Sequence, residues 1–202
     1  MILLPLICLS YLLGSIPTGV VISRLKGVDI RRQGSGNVGA TNVARVVGKL
    51  PGLIVLVVDT AKGWIPVVFF AATAARWNPS LDPALIAIVA GVAAVAGHIW
   101  NPFLGFKGGK GVATSLGVLW GLCGQLAFWT AGLWLAVFSV TRYVSVASIS
   151  AAMAAPFLMI FLGLPLSWVL GGIGVSIAII ARHRENILRL LHGQEYRFGR
   201  SR

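Results

Sequence analysis

Three glycines stand with a hydroxyl and an amide side chain in segment 34–39, which reads GSGNVG and fits the G-x-G-x-x-G dinucleotide pattern. That pattern binds pyrophosphate when it follows a buried strand and opens a helix of a parallel sheet. The ten residues before it, RLKGVDIRRQ, are polar and basic, and we find no strand pattern in the chain. The segment therefore favours an anion-binding loop that opens a short helix, with Ser35 and Asn37 as donors and Arg45 further along. A plain flexible loop is the alternative.

A second glycine-rich segment, FKGGKGVAT at 106–114, resembles a phosphate-binding P-loop. The P-loop pattern fails because Gly111, and not Ser or Thr, follows Lys110. What remains is a group of glycines and lysines before a predicted helix start, where exposed amides can bind phosphate. An ordinary basic turn is the alternative. The candidate phosphate-binding residues are Lys107, Gly108, Gly109, Lys110 and Gly111.

Isolated polar residues inside apolar stretches form a third group of candidates. Asp59 and Lys62 are three residues apart, so they share a helix face and are predicted to pair. A structural ion pair is the favoured interpretation, and a direct substrate role is the alternative. His98 is interpreted as a structural histidine. His183 and Asn186 also share a helix face, and they either point into a site or form a polar helix end.

The residues that follow His183 predict an amphipathic helix on the membrane surface, because Ile187, Leu188, Leu190 and Leu191 form an apolar stripe among arginines. Glu185 and Arg189, four residues apart, are predicted to pair. Nucleophilic catalysis finds no support: no G-x-S-x-G elbow occurs, and no His is followed by Asp five positions on. The sequence therefore offers anion binding and electrostatic stabilisation with little general-base capacity.

Composition shows what must position these residues. The chain is 57% hydrophobic, only 11% of it is charged, and its net charge is +12. Apolar runs of about 20 residues span a bilayer, so these runs indicate an integral membrane protein. In such a protein the basic residues lie in loops that flank the membrane, and the positive net charge therefore does not indicate a nucleic-acid binder. Cys8 and Cys123 lie in apolar stretches, and Cys, His and carboxylates are too few at ligand spacing for a metal site. We expect neither a metal nor a cofactor.

Six apolar stretches are evident, at 1–23, 51–75, 84–104, 112–140, 145–163 and 165–181. Basic residues cluster after the first stretch (Arg24, Lys26, Arg31, Arg32, Arg45, Lys49) and after the last (Arg182, Arg184, Arg189, Arg197, Arg200, Arg202). Both segments should be cytoplasmic, so an N-terminus outside the cell requires an odd number of crossings. Stretch 112–140 is long for one span and carries Gly121 and Gly124 near its middle, so we divide it there into two short helices. A single tilted helix is the alternative.

The predicted fold is therefore an all-α integral membrane protein with seven transmembrane helices, one or two of them short. The N-terminus is outside, the C-terminus is cytoplasmic, and residues 1–202 form one domain. Four polar segments share the cytoplasmic face of this arrangement: 34–45, 97–115, 141–145 and 182–195. Their glycine, lysine and arginine content predicts a phosphorylated substrate.

Together these segments closely resemble the bacterial acyl-phosphate:glycerol-3-phosphate acyltransferases, the PlsY family. GSGNVGATNVAR at 34–45 resembles the first family motif, GGKGVAT at 108–114 the second, and HRENILRLLHGQE at 183–195 the third. The DTAKG segment at 59–63 also matches. The resemblance implies transfer of a fatty acyl group from acyl phosphate to the 1-hydroxyl of sn-glycerol 3-phosphate, which gives lysophosphatidic acid and phosphate without a dedicated protein base.

The resemblance also implies residue roles. Ser35 and Arg45 would act on the acyl-phosphate side, residues 107–111 would bind phosphate, and His183 and Asn186 would orient glycerol 3-phosphate. Thr41 and Ser145 are further candidate substrate contacts, and Glu195 is expected to be structural. The implied setting is the bacterial inner membrane with a cytoplasmic active site, coupled to the enzyme that makes acyl phosphate.

Two other functions compete with the acyltransferase. A transporter of an organic phosphate would need polar residues on both membrane sides, whereas here they crowd one face. A phosphate-ester hydrolase would need a metal cluster or a nucleophile, and the sequence offers neither.

Overall fold

The computed structural model describes residues 3–77 and 79–199, and every regular element within them is helical. Arg200 and Arg202, which contributed to the predicted charge of the tail, lie outside the described residues. The α-helices are α1 (Leu3–Gly14), α2 (Thr18–Arg24), α3 (Ala40–Val46), α4 (Lys49–Ile65), α5 (Ala71–Trp77), α6 (Pro83–Ile99), α7 (Val112–Leu122), α8 (Gly124–Thr141), α9 (Val144–Phe161), α10 (Leu166–Arg182) and α11 (Arg184–Leu191). A π-helical segment, Pro66–Phe70, joins α4 to α5.

Within the described residues, five helical segments are long and apolar enough to cross a membrane. Helices α10 and α11 pass the same test together but are bent by 53°, which raises the number to six if they count as one span. The all-helical, multi-pass prediction is thus confirmed. The count of seven spans and the direction of the chain across the membrane stay predictions.

The predicted break in stretch 112–140 is present. Helix α7 ends at Leu122, Cys123 is extended at φ −158°, and α8 begins at Gly124. Helix α7 has 11 residues and is too short to cross a hydrocarbon core about 30 Å thick. The prediction of two short helices is wrong for α8, because its 18 residues continue to Thr141 and are long enough to span.

The chain divides into two compact units, residues 1–122 and 123–202. In unit 1, glycines let helices approach closely. A Cβ on Gly117 of α7 would lie 1.8 Å from Thr60 O of α4, and one on Gly63 of α4 would lie 2.0 Å from Thr114 O. Only a residue without a side chain fits at these contacts, which fix α4 against α7.

A small apolar core in unit 1 lies beneath the GSGNVG segment. Val38 of that segment packs with buried valines and an isoleucine from the neighbouring elements: Val20, Ile30, Val43 and Val55. Burial of these side chains stabilises the loop from below.

In unit 2, α9 packs between α8 and α10. Trp134 Nε1 of α8 donates to Ser148 Oγ of α9 at 3.1 Å, and Ser176 Oγ of α10 donates to Ala152 O of α9 at 2.6 Å. Helix α11 follows α10 and exposes Leu188 and Leu191. These leucines belong to the apolar stripe that the sequence predicts for an amphipathic tail.

Candidate active site

The GSGNVG loop turns through Gly34 and Gly36, whose φ values of 60° and 70° favour glycine, and leads directly into α3. Asn42 on α3 organises the loop. Its Oδ1 accepts from Ser35 N at 2.9 Å, and its Nδ2 donates to Gln33 O at 3.0 Å and to Asn37 O at 2.9 Å. The side chain is buried, so these bonds are shielded from water. The loop is therefore held rigidly by one amide.

The candidate side chains of this loop and of α3 differ in exposure. Ser35 and Arg45 are exposed, and Thr41 is partly buried. Asn37 Oδ1 accepts from Gly39 N at 2.8 Å and so braces the loop. The sequence correctly predicts that the loop opens a short helix, and the roles of Ser35, Thr41 and Arg45 stay predictions.

The glycine turn at 105–111 lies against the end of α6. Gly108 N donates to Ile99 O at 3.0 Å, and Gly109 N donates to His98 O at 3.1 Å. Both amides are therefore bonded within the protein in this structure, and phosphate binding by Gly108 and Gly109 stays a prediction. The glycines are required for another reason: a Cβ on Gly108 would lie 2.0 Å from His98 O, and one on Gly109 would lie 2.1 Å from His98 Nε2.

Helix α7 begins just after this turn, as predicted. Gly111 has φ 84°, a left-handed conformation that suits glycine and leads the chain into Val112. Lys107 is exposed and Lys110 is partly buried. Phosphate binding at the turn therefore depends on these two lysines and the first-turn amides of α7, which have no partner within the helix. It stays a prediction.

Asp59 and Lys62 form the predicted ion pair, with 2.9 Å between Lys62 Nζ and Asp59 Oδ1. Both side chains are almost fully buried, at 3% and 4% exposure. Lys62 Nζ also donates to Ile16 O at 3.0 Å, in the break between α1 and α2. His98 Nδ1 lies 4.0 Å from Asp59 Oδ2. A small cavity is lined by all three side chains together with residues 16–19, Val38 and Asn101.

In unit 2, Glu195 accepts hydrogen bonds from three side chains. The donors are Asn186 Nδ2 at 2.7 Å, Arg189 Nε at 2.9 Å and Ser145 Oγ at 3.0 Å. The predicted Glu185–Arg189 pair is therefore wrong, because the chain turns back after α11 and offers Arg189 a better shielded carboxylate. Burial raises the pKa of Glu195, but the three hydrogen bonds outweigh it and hold the pKa below 4.5.

His183 stands at the junction of α10 and α11 and is buried. Its Nδ1 lies 2.8 Å from Ile179 O. Because a carbonyl can only accept, Nδ1 carries a proton, which fixes the orientation of the ring. Asn186, three residues on, is also buried and turned toward Glu195. The described residues contain no group of three or more His, Cys, Asp or Glu that could hold a metal ion.

The sequence missed the most connected residue of the first loop. Asn42 lies inside GSGNVGATNVAR beside Thr41 and Arg45, whose hydroxyl and guanidinium groups are usual ligands for phosphate, so the motif alone does not single out its amide. The sequence feature that could have indicated it is an amide side chain in the first turn of a helix that follows a glycine-rich loop, where it can bond nearby backbone groups. Asn101 was missed in the same way: its Nδ2 donates to Ser15 O at 2.6 Å and its Oδ1 accepts from Phe103 N at 3.0 Å.

Comparisons with known proteins cover nearly the whole chain. The family model for glycerol-3-phosphate acyltransferase matches residues 4–193. A glycerol-3-phosphate acyltransferase of Aquifex aeolicus (strain VF5) is 46% identical over 193 residues, covering 96% of this chain and 97% of the relative. Another, from Synechococcus sp. (strain JA-3-3Ab), is 48% identical over 191 residues, covering 94% of this chain and 90% of the relative.

Two solved structures have the same fold. Both are of PlsY (YgiH), an integral membrane glycerol 3-phosphate acyltransferase. The glycerol 3-phosphate form is 46% identical to this chain with a TM-score of 0.89, covering 98% of this chain and 96% of the other. The lysophosphatidic acid form is 45% identical with a TM-score of 0.87, covering 98% and 95%.

The membrane-length helices and the polar loops at their ends therefore belong to an integral membrane acyltransferase. The family model supports the same conclusion, because it matches residues 4–193, nearly the full length of the chain. This chain belongs to the glycerol-3-phosphate acyltransferase family, whose reaction is part of phospholipid biosynthesis.

Proposed function

We propose that this enzyme transfers a fatty acyl group from acyl phosphate to the 1-hydroxyl of sn-glycerol 3-phosphate. The products are lysophosphatidic acid and inorganic phosphate. The observation that carries the proposal is the 46% identity to PlsY over almost the whole of both chains. The glycerol 3-phosphate and lysophosphatidic acid forms of that protein correspond to an acceptor and a product.

The donor is inferred from the surroundings of the carboxylates, because an enzyme without a general base needs an acyl donor that is already activated. Asp59 is paired with Lys62, Glu195 holds three donors, and Asp29 lies beside Arg31. None of these three is placed as a general base. An acyl phosphate is a mixed anhydride and needs no further activation. The acceptor hydroxyl forms a bond to the acyl carbon, the bond from that carbon to the phosphate oxygen breaks, and the phosphate leaves with the hydroxyl proton.

The protein then has to bind phosphate groups, align the hydroxyl with the carbonyl and stabilise the oxyanion. Exposed Ser35 and Arg45 suit the acyl-phosphate side, and Lys107 and Lys110 suit phosphate binding.

By motif correspondence, His183 and Asn186 orient glycerol 3-phosphate, with Thr41 and Ser145 as further contacts. The net charge of +12 favours the approach of two anionic substrates.

The proposed setting is the bacterial inner membrane, with seven spans, an outside N-terminus and an active site that faces the cytoplasm. The distribution of Lys and Arg among the loops supports this orientation. We also propose functional coupling to the enzyme that makes acyl phosphate, because the donor is a reactive lipid.

The donor assignment is tested with purified protein in detergent. With palmitoyl phosphate and glycerol 3-phosphate we expect equal amounts of phosphate and lysophosphatidic acid. Palmitoyl-CoA and palmitoyl acyl carrier protein are the matched alternative donors. Activity with either of these, and none with palmitoyl phosphate, would refute the assignment.

The proposed roles of Ser35 and Arg45 are tested by Ser35→Ala and Arg45→Ala. Each should lower kcat by about 100- to 1,000-fold, the usual loss for a group that stabilises developing charge. The matched controls are Ser139→Ala and Arg76→Ala, at exposed positions outside the three motifs. Rates within twofold of wild type for Ser35→Ala or Arg45→Ala would remove that residue from the site.

The chain orientation is tested by cysteine accessibility. In a variant without Cys8 and Cys123, a single cysteine at Arg142 should react with a membrane-impermeant maleimide only after the inner face is exposed. Labelling of intact cells at position 142 would contradict the division of stretch 112–140 into two crossings.

A further inference from the structure

We infer that Asp59, Lys62 and His98 are positioning residues, which hold the GSGNVG loop and the glycine turn in register with each other. This inference deepens the proposed function and rests on it, because the two segments carry Ser35, Arg45, Lys107 and Lys110.

The first connection runs from the ion pair to the GSGNVG loop. Lys62 Nζ donates to Ile16 O at 3.0 Å, at the start of the break that leads into α2. One turn further, Gly19 of α2 lies so close to the loop that an added Cβ would be 1.8 Å from Val38 O. A shift of the chain at Ile16 therefore moves Gly19 against the backbone of the loop that presents Ser35.

The second connection runs from the same ion pair to the glycine turn. Asp59 Oδ2 lies 4.0 Å from His98 Nδ1 on one edge of the imidazole ring. On the other edge, a Cβ at Gly109 would lie 2.1 Å from His98 Nε2. The ring fills the space between the carboxylate and the turn, and Gly109 N donates to His98 O at 3.1 Å. Displacement of the ring therefore displaces the turn.

Burial makes these connections stiff. As whole residues, Asp59, Lys62 and His98 are only 2%, 3% and 6% exposed, so water cannot replace a lost contact easily. The cavity that the three line is bordered by residues 16–19 and Val38 as well, which places both connections around one small polar space. A pair that only stabilised α4 would need neither the Ile16 carbonyl nor the ring of His98.

The inference is tested by replacing both charges at once. Asp59→Leu combined with Lys62→Met removes the pair without leaving a lone buried charge, so the fold is expected to survive. We expect the thermal midpoint to stay near that of wild type while kcat falls about 10- to 100-fold, with a smaller change in KM, because reacting groups are misaligned. The control is Asp82→Asn, which removes an exposed charge and keeps an acceptor for Ala84 N.

Hydrogen exchange gives a readout that does not depend on the donor. The amides of Ser35, Gly108 and Gly109 should exchange faster in the double variant, while amides in the middle of α6, residues 86–95, keep their wild-type protection. The inference would be overturned if the double variant kept both the kcat and the stability of wild type. It would also be overturned if hydrogen exchange were unchanged in both the GSGNVG loop and the glycine turn. If wild-type protein fails to use acyl phosphate, the proposed donor fails, but the exchange result still decides the positioning role.

A second variant covers the case in which the double variant does not fold. Gly109→Ala keeps every charge and pushes its new Cβ against His98. Under the inference, this change also accelerates exchange at Ser35, which belongs to the other segment. The matched control is Gly132→Ala, whose Cβ would have no neighbour within 4 Å. Faster exchange at the turn with no change at Ser35 would show that the two segments are independent and would refute the inference.

Discussion

Two ion pairs of equal length differ in the burial of their cations. Lys62 Nζ lies 2.9 Å from Asp59 Oδ1 inside unit 1, and Arg189 Nε lies 2.9 Å from Glu195 Oε2 in unit 2. The carboxylates are similarly buried, at 3% and 7% exposure, but the cations differ: Lys62 is 4% exposed and Arg189 34%. Arg189 can turn to water if it loses its partner, whereas Lys62 cannot. Distance alone therefore says little about the contribution of an ion pair.

The largest expected effect is that of Asp59→Asn. The substitution leaves the Lys62 ammonium buried without a carboxylate, which should lower the free energy of unfolding by about 3–5 kcal/mol. Thermal or denaturant unfolding in one detergent measures it. A loss below about 1 kcal/mol, the range of exposed pairs, would break the comparison by showing that Lys62 reaches water or loses its proton.

An intermediate effect is expected for Asn42→Ala, which removes an uncharged, buried side chain that makes several hydrogen bonds. Several polar groups of the GSGNVG loop lose their hydrogen-bond partner, and we expect a loss of about 2–3 kcal/mol because a buried orphan group costs about 1–3 kcal/mol. Asn42→Asp is the informative companion, since it can still accept from Ser35 N but cannot donate to Gln33 O or Asn37 O. Equal stability of Asn42→Ala and wild type would show that water replaces the amide.

A smaller effect is expected for Glu195→Gln. The amide keeps an oxygen acceptor for Asn186 or Ser145, and Arg189 can be solvated, so the loss should be about 1–2 kcal/mol. Glu185→Gln is the matched control, because it removes an exposed carboxylate from α11, the helix that precedes Glu195. If Glu195→Gln lowers the free energy of unfolding as much as Asp59→Asn does, the exposure of the cation does not determine the size of the loss.

The smallest effect concerns pH. The folded pKa of Glu195 lies below its ordinary value of 4.5, so its contribution to stability is complete above that pH and is lost as the pH falls through the folded pKa. The difference in thermal midpoint between wild type and Glu195→Gln should therefore be constant near neutral pH and shrink below pH 4.5. A difference that does not change on acidification would contradict the three-donor arrangement around this carboxylate.

Local sequence patterns were sufficient for much of the fold. Apolar runs of membrane length predict helices whatever their neighbours are, and Gly121 and Gly124 locate the break between α7 and α8. The three-residue spacing of Asp59 and Lys62 predicts their pairing because it depends on one helix only. The same rule fails for Glu185 and Arg189. The chain turns back after α11 and brings Glu195 to Arg189, which pairs with Glu195 instead of Glu185.

The sequence by itself determined the membrane class, the helices and the family, since these depend on composition, local periodicity and three motifs in order. Only the tertiary structure decided what the glycines at 108 and 109 are for. Free amides and close packing require the same residue type, and the choice between them depends on His98 and Ile99 at the end of another helix. The tertiary structure likewise gave Glu195 its three donors and gave the Asp59–Lys62 pair its contacts with Ile16 and His98. Ile16 and Ser145 lie 46 and 50 residues from their partners along the chain, and Asn186 and Arg189 reach Glu195 only because the chain turns back after α11. A local sequence pattern records neither kind of contact.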